Sequence, residues 1–401
     1  MKHCNMPKLV FQRQSQFGDD YWHSAMISLL RGLAAIEVAA AHLRAELYPG
    51  LRSVADASIW FKGLAFATGF AHQAVLVFFV ISGWLVGGSL LNKIGQRDAF
   101  SSFAIDRVTR LWTVLIPTFV LTLLFGLGTG ALSANGIDYS ATNAYSARSF
   151  AGNLIGLQTV TLPNFGENFA LWSLSNEICY YTMFPLLVLL LTARGNITRV
   201  ACGAALAVLV TALPGAIIGY FAIWLLGVAF SRIRIECGNG ARIGWLVLLA
   251  AVSGYYRLTG NLDDFDQTTL RQDLVCSVVM LVFLSSLQFK AAPTSKLLRP
   301  MATIGKFFAD FSFSLYVLHL PLLALLTHWS MARFGLHKLS PDVPLHYAIY
   351  AAMLVILLGG SYLSYLLFES HTYRIRRLLK NLVLRQTGPR PNARTVLPAD
   401  R

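Results

Sequence analysis

Arg31 and His42 lie eleven residues apart on one apolar stretch, SLLRGLAAIEVAAAHLR. At about 100° and 1.5 Å per residue, a helix brings both to one face, roughly 16 Å apart along its axis. That face would hold a cation near one end and an imidazole toward the other. Ionisable groups inside an apolar span cost about 2.5 to 3.5 kcal/mol each, so each one needs a functional or pairing role. A lone histidine at such a position can simply be a hydrogen bonder between helices. The face shared with Arg31 favours chemistry, while Glu37, on another side of the helix, is expected to pair within the bundle.

In LWSLSNEICYYTMFPLL, Ser173, Glu177 and Tyr181 follow at i, i+4 and i+8 and make a polar stripe. Interhelical hydrogen bonding accounts for serine and tyrosine, but a glutamate needs a cationic or proton-sharing partner. Counted from the outer face, Glu177 is about nine residues deep and His42 about six, which places both in one layer. A His42–Glu177 pair is therefore expected, the carboxylate orienting the imidazole for general-base work on a hydroxyl. In FAIDRVTRLW, Arg107 and Arg110 stand one turn apart. They read either as anchors at a helix end or as a bidentate guanidinium clamp for phosphates. FSFSLYVLHLPLL adds Ser314, Tyr316 and His319 ahead of Pro321, read as packing and substrate contacts rather than primary catalysts.

The elements that must position these residues are membrane helices. Of 401 residues, 55% are hydrophobic and 13% charged, with a mean hydropathy of +0.56. A soluble surface needs about a quarter to a third charged residues. Hydropathy predicts an all-α polytopic membrane protein with about ten transmembrane helices, near 26–48, 63–91, 111–130, 168–191, 198–212, 214–230, 243–257, 270–289, 311–332 and 345–368. Residues 1–25 form a polar tail without signal-peptide features, 26–369 one membrane domain, and 370–401 a basic tail. That tail begins amphipathic, as an interfacial helix would, and ends polar and Pro-rich.

The net charge of +14 would suggest nucleic acid in a soluble chain. Here 24 of the 33 Lys and Arg fall on the side of the N-terminus and five in the opposite loops. The asymmetry predicts N-in and C-in topology and gives the charge a role in orientation, with no nucleic-acid partner. The five cysteines are scattered at no metal-ligand spacing, so neither a metal site nor a disulfide framework is expected. The long outward loop 131–167, rich in Ser, Asn, Tyr and Gly, is a candidate acceptor surface.

These motifs together resemble acyltransferase family 3, the integral membrane O-acyltransferases of bacterial surface and exported glycans. LLRGLAAIEVAAAH is similar to the family's arginine, ten residues, histidine motif at Arg31 and His42. VLVFFVISGWLVG resembles its second span, DRVTRLW its Arg-x-x-Arg at Arg107 and Arg110, LWSLSNEICYYTMFPLL its Trp-Ser-Leu-Ser-x-Glu, and FSFSLYVLHLPLL its late span. The order is the family's, from about residue 28 to 370. Two departures stand out: Ile178 replaces the frequent second acid after Glu177, and FESHTYR keeps Glu369 but lacks the Arg-Pro of the terminal motif.

The resemblance implies an O-acyltransferase of the bacterial inner membrane with His42 and Glu177 as catalytic residues. Acyl-CoA, with acetyl as the default group, would be the donor, its phosphates held by Arg107 and Arg110 with Arg31 assisting. No permanently bound cofactor is implied. Substrate contacts would fall at Trp172, Ser173, Ser175, Tyr181, Tyr316 and His319. The acceptor would be a lipopolysaccharide, exopolysaccharide or other lipid-linked or exported glycan, with polysaccharide assembly machinery as a partner. His42 would act as base or carry the acyl group itself. With about 30 residues after the last span, no SGNH-type hydrolase-like domain is expected. Other classes compatible with intramembrane Arg, His and Glu are a transporter and a membrane polysaccharide polymerase or glycosyltransferase.

Overall fold

Long apolar runs leave their backbone no water to bond to, and a helix satisfies every N–H and C=O within the segment. The computed structural model, which describes residues 7–18, 20–259, 265–266, 268–290, 298–335 and 338–384, is accordingly 76% helical. The helices are α1 (Trp22–Leu47), α2 (Ile59–Ala67), α3 (Ala71–Ser82), α4 (Gly88–Lys93), α5 (Ala99–Thr129), α6 (Ala131–Asn135), α7 (Ala147–Leu154) and α8 (Leu171–Thr192). They continue with α9 (Asn196–Ala212), α10 (Gly215–Phe230), α11 (Asn239–Thr259), α12 (Leu270–Ser286), α13 (Leu298–Asp310), α14 (Ser312–Phe334), α15 (Pro344–Leu367) and α16 (Thr372–Val383). Two short strands, β1 (Lys8–Phe11) and β2 (Ile233–Glu236), pair antiparallel with Lys8 opposite Glu236. This small ladder, absent from the all-α expectation, ties the N-terminal tail to the end of α10.

Each of the ten expected spans is helical, but among the described residues six segments are long and apolar enough to cross a membrane, starting at Trp22, Ile59, Ala99, Leu171, Ser312 and Pro344. Helices α9, α10 and α12 have 17, 16 and 17 residues. They would span about 24–26 Å, short of a hydrocarbon core of about 30 Å. Exposed apolar side chains such as Ile197, Val208, Val355 and Leu363 leave the outer face suited to lipid.

The central core lies between α3, α8, α10 and α12, where Phe79, Trp84, Tyr180, Tyr220 and Trp224 are buried together. Glycine permits that approach. A Cβ on Gly83 would sit 2.0 Å from the Trp224 carbonyl oxygen, and one on Gly227 would sit 2.3 Å from that of Val80. At this crossing the chain widens into a π-helical turn, Gly83–Gly87, joining α3 to α4. Such turns re-aim flanking side chains and are frequent at functional sites.

Helix α5 begins at Ala99, twelve residues before the expected span at 111, so Arg107 and Arg110 lie two to three turns inside the helix rather than at its entrance. Asp106 beside them is engaged by Lys380 at 2.6 Å and by Arg376 at 3.4 Å, which fastens the basic helix α16 to α5. The polar tail expected beyond 384 lies outside the described residues. In α14, Pro321 has no N–H for the carbonyl of Val317, four residues back. The Asn168 side-chain amide donates to that carbonyl instead, at 2.8 Å, and so holds the start of α8 against the turn that carries His319. Loop 131–167 is folded through α6, α7 and the buried side chains of Ser146, Ser149, Asn153 and Gln158.

Candidate active site

Three cavities run along the bundle and share lining residues. At the end where α1 begins, a cavity of about 250 Å³ is lined by Arg31, Arg107, Arg110, Glu177, Tyr181, Ser82 and Ser173. Here α5, the π turn and α8 converge. The Arg31 guanidinium donates to the Ala309 carbonyl at 2.7 Å, yet its Nε and that of Arg107 are buried without partners. Arg107 lies over the rings of Phe103 and Tyr181, at 5.8 and 5.9 Å from their centroids, and Arg110 over Phe313 at 5.9 Å. Among the described residues none of the three forms a salt bridge with a carboxylate. Glu177 and Glu369 act on these cations electrostatically without pairing with them, so an anionic ligand would add the close partners the guanidiniums lack.

Glu177 belongs to this cavity. Tyr181 O–H donates to its carboxylate, Ser82 lies 3.4 Å from the Tyr181 hydroxyl, and Trp224 Nε1–H donates to Ser82 at 3.1 Å. The i, i+4 stripe read from the sequence therefore forms, but it is satisfied largely within its own helix and by α3. Glu369, kept from the terminal motif, accepts from the Ser314 N–H at 3.1 Å and from its hydroxyl at 2.7 Å. It caps the first turn of α14, where a negative charge complements the helix dipole. Glu37 accepts from the Phe70 N–H at 2.7 Å and holds the start of α3.

A second cavity, about 470 Å³, lies deeper and is lined by His42, His72, Trp172, Asn176, Phe265 and Tyr316. The structure does not form the expected His42–Glu177 pair. His42 Nδ1 instead meets His319 Nε2 at 2.8 Å, the rings stacked at 9°. The proton positions follow from the neighbours. His319 Nδ1 faces two helix carbonyls, those of Tyr316 at 2.7 Å and Leu315 at 3.2 Å, and so must carry the hydrogen. Its Nε2 is then an acceptor, His42 Nδ1–H is the donor, and His42 Nε2 is left with a lone pair and no hydrogen bond among the described residues. Phe169 closes on His42 edge-on at 5.0 Å. The physical reason for the correction is lateral: α1 packs on α13, α3 and α14, which puts an α14 side chain rather than an α8 one beside His42.

Tyr316 lines both cavities, and its hydroxyl meets that of Ser173 at 2.6 Å where they adjoin. Phe169 in turn lines both the histidine cavity and a third, about 640 Å³, reaching Tyr145, Glu167 and the start of α6. The arginines, His42 and loop 131–167 thus lie along one sequence of chambers. Ser175 faces away, its hydroxyl donating to the Gly156 carbonyl at 2.7 Å and pinning the loop.

Sequence reading passed over His72 and Asp273, buried partners in α3 and α12. Both are ionisable residues within expected spans, the same signal that singled out His42 and Glu177.

Comparison with known proteins gives one match. A family model described as an acyltransferase domain, Acyl_transf_3, covers residues 25–369. No curated protein and no solved structure matches the chain.

Proposed function

The chain belongs to acyltransferase family 3 and is a membrane acyltransferase, and from that premise we propose that it moves an acyl group, acetyl by default, from acyl-CoA to a hydroxyl of a lipid-linked, surface or exported glycan. The observation that carries the reading is the pair of adjoining cavities. One presents three guanidiniums that form no salt bridge among the described residues, and the next presents an imidazole lone pair whose tautomer is fixed.

Acyl-CoA enters from the cytoplasm, its phosphates on Arg107 and Arg110 with Arg31 behind them, since arginine pairs bidentately with phosphate oxygens. The thioester passes Tyr316 and Ser173 into the histidine cavity. His42 Nε2 takes the proton of the acceptor hydroxyl, the oxygen attacks the acyl carbonyl carbon, the C–S bond breaks and CoA leaves as the thiolate. His319 holds His42 in the required tautomer, the part first given to Glu177. Glu177 and Tyr181 instead shape the donor cavity, while Trp172 walls the histidine cavity. The glycan comes from the opposite side through the chamber bordered by loop 131–167. N-in and C-in topology in the bacterial inner membrane fits this division, with α9 to α12 completing the spans and the polysaccharide assembly machinery supplying the acceptor.

Mass spectrometry of surface and exported glycans tests the reading, comparing cells with the wild-type chain, with H42A and with the gene deleted, at matched protein levels. One defined acyl ester should vanish in both H42A and the deletion. Identical ester patterns in all three would overturn it.

A further inference from the structure

His72 is 5% exposed and Asp273 1%. His72 Nε2–H donates to both carboxylate oxygens, at 2.9 and 3.0 Å, and the Tyr220 hydroxyl donates to the same carboxylate. With the proton held on Nε2, the ring's Nδ1 carries a lone pair, and it is buried without a partner. Carboxylate, imidazole and bare ring nitrogen in line are the arrangement that fixes a tautomer and strengthens the outer nitrogen as an acceptor. A buried acceptor left unmatched is costly unless something else satisfies it.

His72 lines the same cavity as His42. The Phe265 ring stacks on His72 at 3.8 Å and lies 4.7 Å from that of Trp172. The chamber's lining thus includes two imidazoles, on different helices, each with a ring nitrogen that has no partner among the described residues, beside apolar aromatic walls. A simple alcohol would satisfy one of them. A sugar ring, with neighbouring hydroxyls on its edge and C–H groups on its faces, would satisfy both and lay its apolar face on the rings.

We propose that His72 Nδ1 accepts a hydrogen bond from a second hydroxyl of the acceptor, beside the one that His42 activates, so that the site selects a polyhydroxylated ring over a simple alcohol. This rests on the reading that the acceptor is acylated in the cavity of His42. His72 is then a specificity-determining residue, and Asp273 and Tyr220 position it.

Two substitutions separate this role from a structural one. In H72Q the side-chain amide reaches the place of Nε2 and keeps the bond to Asp273 while removing the Nδ1 acceptor. In H72N the amide oxygen takes the place of Nδ1 while the bond to Asp273 is given up. Membranes bearing each full-length variant are supplied with acetyl-CoA labelled in its acyl group, and alkali-labile label on the glycan is counted per amount of folded chain. The expected result is a loss of about 5- to 150-fold in H72Q, the range for stranding one buried hydrogen-bonding group, with H72N recovering most of it. If H72N is misfolded, the double variant H72N/D273N, which removes the stranded charge, replaces it. The reverse order, wild-type rates in both, or silence in both at the level of H42A would overturn the proposal. Wild-type membranes that transfer no label would overturn the proposed function instead.

Discussion

Replacing His319 by leucine tests the tautomer relay directly. The His42–His319 bond joins two neutral rings at 2.8 Å, and His319 is fully buried, so no water takes its place when the ring is removed. A neutral hydrogen bond of this kind contributes about 0.5–1.5 kcal/mol net, and stranding the His42 Nδ1–H costs about 1–3 kcal/mol. At about 1.4 kcal/mol per factor of ten, H319L should lower kcat by about 5- to 150-fold. The deficit belongs in kcat, because His319 lines no part of the arginine cavity and the acyl-CoA KM should stay near wild type. H319Q, whose amide oxygen can accept from His42 Nδ1–H, should recover most of the loss. The assay is initial-rate release of CoA thiol by the purified chain in the presence of acceptor glycan. Wild-type kcat in H319L, or a change confined to the acyl-CoA KM, would refute the relay.

Other substitutions probe the neighbouring parts. R107Q and R110Q should each raise the acyl-CoA KM by about 10- to 150-fold, the range for a hydrogen bond to a charged group; R107K should restore only part of it, having lost the bidentate fork. An acyl-CoA titration that leaves KM unmoved in both Gln variants would remove the phosphates from this cavity. E177Q takes an anion away from beside the bound phosphates, so the acyl-CoA KM should fall by about 3- to 10-fold, and a kcat loss as deep as that of H42A would revive the His42–Glu177 pair. G83A would drive a methyl group to 2.0 Å from the Trp224 carbonyl oxygen. It should destabilise the bundle by about 1–3 kcal/mol or more, read as a lowered Tm in detergent, and an unchanged Tm would show that the helices can separate at no cost.

Much of the helical positioning was legible because it depends on one-dimensional patterns: apolar run length, proline placement and the cost of charge in lipid. The residues worth attention were legible for the same reason, since Arg31, His42, Glu177 and His319 are conspicuous in apolar surroundings. Their pairing was not. Spacing gives depth and face along one helix, whereas the partner of His42 depends on which helices are lateral neighbours. Depth alone pointed to Glu177, whereas the packing of α14 on α1 puts His319 there. Hydropathy windows also gave no warning of the π turn at Gly83–Gly87, whose cause is the close approach of α10. Of the ten expected spans, six are long and apolar enough to cross; α9, α10 and α12 stop at 16 or 17 residues, and α11, at 21 residues, carries Arg242 and Arg257 near its two ends. His72 and Asp273 carried the right signal and were passed over because no motif pointed to them.

The most direct measurement supplies acetyl-CoA labelled in its acyl group to sealed inside-out membrane vesicles holding the wild-type chain or H42A, and counts alkali-labile label on the glycan fraction. Wild-type vesicles should build the ester at least about 100-fold faster than H42A vesicles, the smaller end of the contribution of a positioned general base. Equal labelling of the glycan by both would contradict transfer through His42.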